Sequence, residues 1–293
     1  MPRFSVCEIS TLRASFEEDL RAYAREGVEG IGICEFKLPP SRQDGAALRA
    51  FRDSGLSASL CVPATLSILP LPRMPGPKDP RERIAAMSAG LRRLAAFGPA
   101  ACVCLTGPAG ARLEAEARRL VVHGLREVAR VAADLGLRLA LEPVHPSIRQ
   151  DWSLICTLPE TLELLDEVGE PNLGVLFDTW HLGDAPDVLQ AAQRHAARIF
   201  GVHINDRRNP TRSWKDRALP GEGTLNLPAI LGALDAGGYH GWYDLEIFSD
   251  DGAFGDAYED SLWKLPAREL VRRGRAGFLR AWRQRRAPKP TRT

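Results

Sequence analysis

Residues 137–178 read LRLALEPVHPSIRQDWSLICTLPETLELLDEVGEPNLGVLFD. Two short apolar runs, 138–142 and 173–178, each end on an acid, at Glu142 and Asp178. Between them, 158–168 carries leucines at helical spacing. A strand, a helix and a second strand in that order form a parallel pair joined by a right-handed crossover. The same alternation extends both ways. Further strands are expected at 3–9, 28–35, 57–62, 101–105, 198–205 and 242–247. Further helices are expected at 16–25, 45–54, 81–97, 114–135, 187–195, 227–236 and within 266–284. Eight strand–helix pairs without a composition break predict an α/β chain folded as a single (β/α)8 TIM barrel over 1–293, with an extended C-terminal segment from about 249 to 293. An open dinucleotide-binding sheet would carry a glycine-rich turn after its first strand, and STLRASFEE at 10–18 contains none.

Composition bounds the partners. The chain has 293 residues, 44% hydrophobic and 26% charged, ample material for a large core. Its 39 Lys+Arg against 37 Asp+Glu leave a net charge of +2, which builds no field for nucleic acid. No run of about 18 apolar residues predicts a membrane span. MPRFSVCEIS lacks the apolar stretch of a secretory signal, so the expected location is cytoplasmic. Six cysteines without a C-x-x-C pair read as buried, reduced thiols.

The position of the charges carries the functional reading. Glu142, Asp178, His203 and Glu246 fall at the C-terminal ends of the fifth to eighth strands, with gaps of 36, 25 and 43 residues. In a closed barrel these ends share one mouth. Three carboxylates crowded there would repel one another and lose hydration, and a divalent cation removes both problems. Oxygen donors with one nitrogen suit Mn2+, Co2+, Mg2+ or Zn2+, and the lack of thiolate donors argues against a structural zinc. Three further residues lie three positions beyond a ligand: His145, His181 and Asp206. Each histidine fits either a substrate contact or a hydrogen-bonded structural role. The loop DRRNPTRSWKDRALPGEG offers Arg207, Arg208, Arg212 and Arg217, of which Arg217, just before the PGEG turn, is the best placed. The proline-rich segment 63–80 follows the third strand, where it could wall the mouth or serve as a stiff surface connection or oligomer contact. The arginine-rich end, RRAPKPTRT, reads as a solvated terminus, with an anionic contact as the alternative.

The segments LALEP, FDTWH, GVHIND, LPGEG and YDLEIF resemble the xylose-isomerase-like TIM-barrel superfamily, specifically its sugar-phosphate isomerase/epimerase branch. That branch holds ketose 3-epimerases, 2-keto-myo-inositol isomerase and inosose dehydratase. The resemblance implies one divalent metal, Mn2+ as first choice, on Glu142, Asp178, His203 and Glu246. It implies that Glu142 and Glu246 also carry the proton transfer, and that His181 touches the substrate. His145, Asp206 and Arg217 complete the expected substrate contacts. The implied reaction removes a proton next to a carbonyl through a metal-bound enediolate, giving a sugar isomerase or epimerase. A lyase on an inosose or keto-glycoside starts from the same intermediate. A nuclease of the same superfamily would need more histidine ligands than this chain places at strand ends, and a non-catalytic barrel would not need the four ligands intact. The expected substrate is a small polyol or keto-sugar, with homo-oligomers common in look-alikes.

Overall fold

The computed structural model describes residues 1–72 and 74–285. Position 73 and the end of the arginine-rich tail, 286–293, lie outside them. The strands are β1 (Arg3–Cys7), β2 (Gly30–Gly32), β3 (Ser57–Ala58), β4 (Leu60–Cys61), β5 (Ala101–Cys104), β6 (Leu139–Leu141), β7 (Leu173–Asp178), β8 (Ile199–Ile204), β9 (Asp206–Arg207), β10 (Arg217–Ala218) and β11 (Trp242–Leu245). The helices are α1 (Phe16–Arg25), α2 (Asp44–Ser54), α3 (Pro80–Ala95), α4 (Glu114–Asp134), α5 (Arg149–Trp152), α6 (Leu158–Val168), α7 (Thr179–Leu182), α8 (Val188–Arg194), α9 (Leu227–Ala236) and α10 (Ala267–Gln284).

Nine strands form one parallel sheet in the order β3-β2-β1-β11-β8-β7-β6-β5-β4, and β9 and β10 make a separate antiparallel pair. The third barrel position is split. Ser59, between β3 and β4, donates its N–H to Ile31 O at 2.9 Å and accepts from Ala100 N at 3.0 Å. That residue bridges the two ends of the sheet and all but closes the barrel. The pairing of β1 with β11, Arg3 to Trp242 through Val6 to Leu245, joins the chain's first strand to its last.

Local chemistry sets the helix ends. Ser15 with Glu18, and Thr157 with Glu160, form reciprocal capping boxes at α1 and α6. The larger core lies between sheet and helices; Phe4 of β1, for example, stacks on Phe278 of α10 at 5.0 Å. Inside the barrel a smaller apolar cluster joins Leu60, Ala101, Val103, Ala140 and Leu176. The proline-rich segment runs beside the continuation of β5, with Ile68 N donating to Leu105 O. Its Leu66 and Met74 pack with Val144, Trp152 and Trp214, so it walls the mouth. No helix among the described residues is long and apolar enough to cross a membrane. All six cysteines are buried and free.

Candidate metal centre

Strand alternation aims the ligands. Ala140 and Leu176 line the barrel interior, and Glu142 and Asp178 lie two residues further along the same inward faces. His203 in β8 and Glu246, immediately after β11, complete the set. The four residues each offer one ligating atom, these atoms lie within 4.8 Å of one another, and all four residues are buried. His203 Nδ1 faces the centre, 3.4 Å from Glu142 Oε1, 3.3 Å from Glu246 Oε2 and 3.9 Å from Asp178 Oδ2.

Buried polar atoms almost always have hydrogen-bond partners. Glu142 Oε1 and both ring nitrogens of His203 have none. Three carboxylates and one imidazole with unspent lone pairs are the donor set of a hard-to-borderline divalent ion. The residues present therefore fit the metal that the sequence implies.

The electrostatics are those of a compressed anionic site. Burial, with the neighbouring Glu246 and Asp178 carboxylates, pushes Glu142 up to about 7, against the pull of His203. Burial also raises Asp178, but Arg217, His181 and His203 outweigh it and hold its carboxyl well below the usual range. Burial lowers His203, and the Glu246 and Glu142 carboxylates more than reverse that, raising it well above its ordinary value.

Arg217 is the arginine that reaches the centre. It leads β10, is 2% exposed, and donates from Nη1 to Asp178 Oδ2 and Glu246 Oε2, each at 2.7 Å. Its Nη2 lies 3.3 Å from His181 Nε2, and its buried Nε has no partner. His181 Nδ1 accepts from the His145 N–H at 3.0 Å, which leaves the proton of the neutral ring on Nε2. Burial first, and Arg217 with it, lower His181 to about 3 against the pull of Asp178. Two donors, His181 Nε2–H and Arg217 Nη2–H, thus converge without an acceptor between them, an arrangement suited to a substrate oxygen.

The other expected contacts are placed differently. His145 turns to Ser147 Oγ at 2.7 Å and caps the turn Pro146–Ile148, with Nε2 3.6 Å from Asp184. Asp206 is committed to the loop: its carboxylate accepts from the backbone of Arg207, Leu225 and Gly221 at 2.8–3.0 Å. These bonds fix the turn that follows Arg217. Arg207 pairs with Asp184 and the Trp180 carbonyl, while Arg208 and Arg212 pair with Asp216 and Asp260. Sequence reasoning missed Asn205, whose Nδ2 donates to Asp178 at 3.2 Å and to the Glu246 carbonyl at 3.3 Å. Its position two residues after His203 was the available signal. It also missed Trp180, which packs edge-on against His145 and His181. A cavity of about 490 Å³ between α1 and the start of α10 touches none of these residues, and its Arg13 and Arg268 are paired with Asp251 and Glu26.

The barrel, with four ligating side chains gathered at its C-terminal rim, defines a class, and comparison with known proteins places the chain within it. The model of the xylose isomerase-like TIM barrel family matches residues 20–281, and the chain belongs to that family. Among curated relatives, an inosose isomerase of Halalkalibacterium halodurans is 28% identical over 46% of this chain and 48% of its own. An inosose dehydratase of Geobacillus thermodenitrificans is 29% identical over 52% of this chain and 53% of its own. The 3-dehydro-D-guloside 4-epimerase of Escherichia coli is 31% identical over 50% and 52%. The chain thus spans about half the length of the curated relatives it matches. The solved structure of the IOLI protein with a zinc atom, 20% identical, superposes with a TM-score of 0.77 over 95% of this chain and 97% of that one.

Proposed function

We propose that this protein is a divalent-metal-dependent sugar isomerase or epimerase acting on a non-phosphorylated polyol or keto-sugar. The observation that carries the reading is the convergence of Glu142, Asp178, His203 and Glu246 at the barrel mouth, with orphaned buried atoms on Glu142 and His203. These four would hold the ion, Mn2+ as first choice, which supplies Lewis acidity to a substrate carbonyl and its neighbouring hydroxyl. Glu142 removes the proton from the carbon beside that carbonyl. Glu246, anchored by Arg217, delivers a proton taken up from solvent, and the proton on Glu142 is lost to solvent. Return to the adjacent carbon isomerises, and return to the opposite face of the same carbon epimerises. His181 Nε2–H and the Arg217 guanidinium hold a substrate oxygen.

The inosose dehydratase relative favours a second reading, a lyase that expels a β-hydroxyl. That outcome needs an acid at the leaving group. His181, lowered to about 3, and His145, lowered mainly by burial, are both neutral at pH 7, which favours proton return over elimination. The test is metal analysis followed by a panel of ketoses, inososes and keto-glycosides in D2O. Deuterium uptake without loss of water supports the first reading, water loss supports the second, and no exchange with any metal-loaded substrate sinks both.

A further inference from the structure

One step below the ligands, the barrel interior holds polar atoms that no part of the proposed reaction uses. Asp244 of β11 is fully buried, and neither of its carboxylate oxygens has a hydrogen-bond partner. The hydroxyls of Ser5 and Ser59, also fully buried, are equally unpartnered. So is Nε2 of His203, the ring nitrogen that the metal site does not need. The register joins these groups: Asp244 lies opposite Ser5 on β1 and opposite His203 on β8. Ser59 sits at the split between β3 and β4. Gly32 shapes the same space, since a Cβ there would lie 2.2 Å from Asp244 Oδ2. Only a bare backbone leaves room for that carboxylate.

Five buried polar atoms that lack well-formed hydrogen bonds to protein fit ordered water, which commonly makes about three hydrogen bonds in such places. A histidine that binds a metal through one ring nitrogen commonly donates from the other to a carboxylate or water, which fixes its tautomer and orientation. We propose that Asp244 is the positioning residue for His203: it accepts the Nε2–H through ordered water held by the Ser5 and Ser59 hydroxyls, and so keeps Nδ1 directed at the metal. This inference rests on the metal-centre reading above, and it adds a second, buried acid to the site's working parts.

The experiment measures Mn2+ affinity by calorimetry and the His203 tautomer by nitrogen-15 NMR of the histidine rings in the diamagnetic Zn2+ complex. Asp244→Leu should weaken Mn2+ binding about 10–100-fold, the usual effect of losing such a partner. Asp244→Asn keeps one acceptor oxygen and should lose less. Wild-type protein should carry the His203 proton on Nε2, and Asp244→Leu should show a mixture of tautomers. Affinity in Asp244→Leu equal to wild type, or an unchanged tautomer, overturns the proposal. If Asp244→Leu does not fold, Asp244→Asn and the Ser5→Ala, Ser59→Ala pair decide by the same readouts. Failure of wild-type protein to bind any divalent ion would refute the proposed function and this proposal together, whereas an Asp244→Leu variant that matches a metal-binding wild type refutes this proposal alone.

Discussion

Arg217 links the stability of the site to its occupancy. Its guanidinium is buried and gives one charge-assisted hydrogen bond to each of two carboxylates, Asp178 and Glu246, at 2.7 Å. Arg217→Met keeps the side chain's reach and removes the charge. Removing one partner of a buried ion pair costs about 3–5 kcal/mol, because the remaining charges stay desolvated. With an unfolding entropy of about 2.1 cal/mol/K per residue, that loss lowers the Tm of a chain this long by roughly 5–8 °C. The assay is differential scanning calorimetry after EDTA treatment, repeated in Mn2+. A divalent ion supplies the positive charge that the variant lacks, and it no longer shares the carboxylates with a guanidinium. At one saturating Mn2+ concentration, each tenfold by which the variant binds the ion more tightly than wild type recovers about 1.4 kcal/mol, so the Tm gap should narrow in Mn2+. Turnover should not return, since the substrate loses its Nη2 and Nε donors. A gap of the same size with and without metal would show that Arg217 acts by packing alone and refute this electrostatic account.

Other expectations follow from the same geometry. Glu246→Gln should abolish solvent exchange into substrate and weaken Mn2+ binding, measured by NMR in D2O and by calorimetry. Metal binding should tighten as pH rises from 6 to 8, by up to about tenfold per pH unit for each proton displaced. The sign follows from Glu142, raised to about 7, and from His203, also raised, since both must lose protons to ligate. Without metal the same two groups make the fold less stable as pH climbs through that range, which a Tm series in EDTA would register. Thr157→Ala, which breaks the α6 capping box without removing any ligand, should cost about 1 kcal/mol of stability while leaving Mn2+ affinity unchanged.

Period and position made much of this fold legible. The alternation of apolar runs with helical stretches fixed the barrel, because each run is long enough to show its periodicity. Shorter features were out of reach. The break at Ser59 comes from one residue pairing with both neighbours, and nothing in SASLCV marks it. The four-residue helix α7 and the two-residue strands β9 and β10 show no period at all. That last pair decides which arginine enters the site: it sets Arg217 opposite Arg207 and turns only one of them to the carboxylates. Asp206, expected as a substrate contact, accepts backbone hydrogen bonds from that same hairpin's loop.

The interior of the barrel explains why the ligands alone were the visible part of the site. One side of it is apolar, with Leu60, Val103, Ala140 and Leu176 in contact, as barrel interiors usually are. The other side holds Ser5, Ser59, His203 and Asp244, all fully buried. A stable barrel has no need of a buried acid there, and an unpaired one opposes folding. In WYDLEI the strand period already puts Asp244 on the inward face with Glu246, two residues away. An acid at a ligand position explains itself through the metal, whereas an acid one layer deeper is retained only if something above it depends on it. His203 is the group above it, and the loss of His203's orientation on removing Asp244 is the consequence that separates a working part from a tolerated defect.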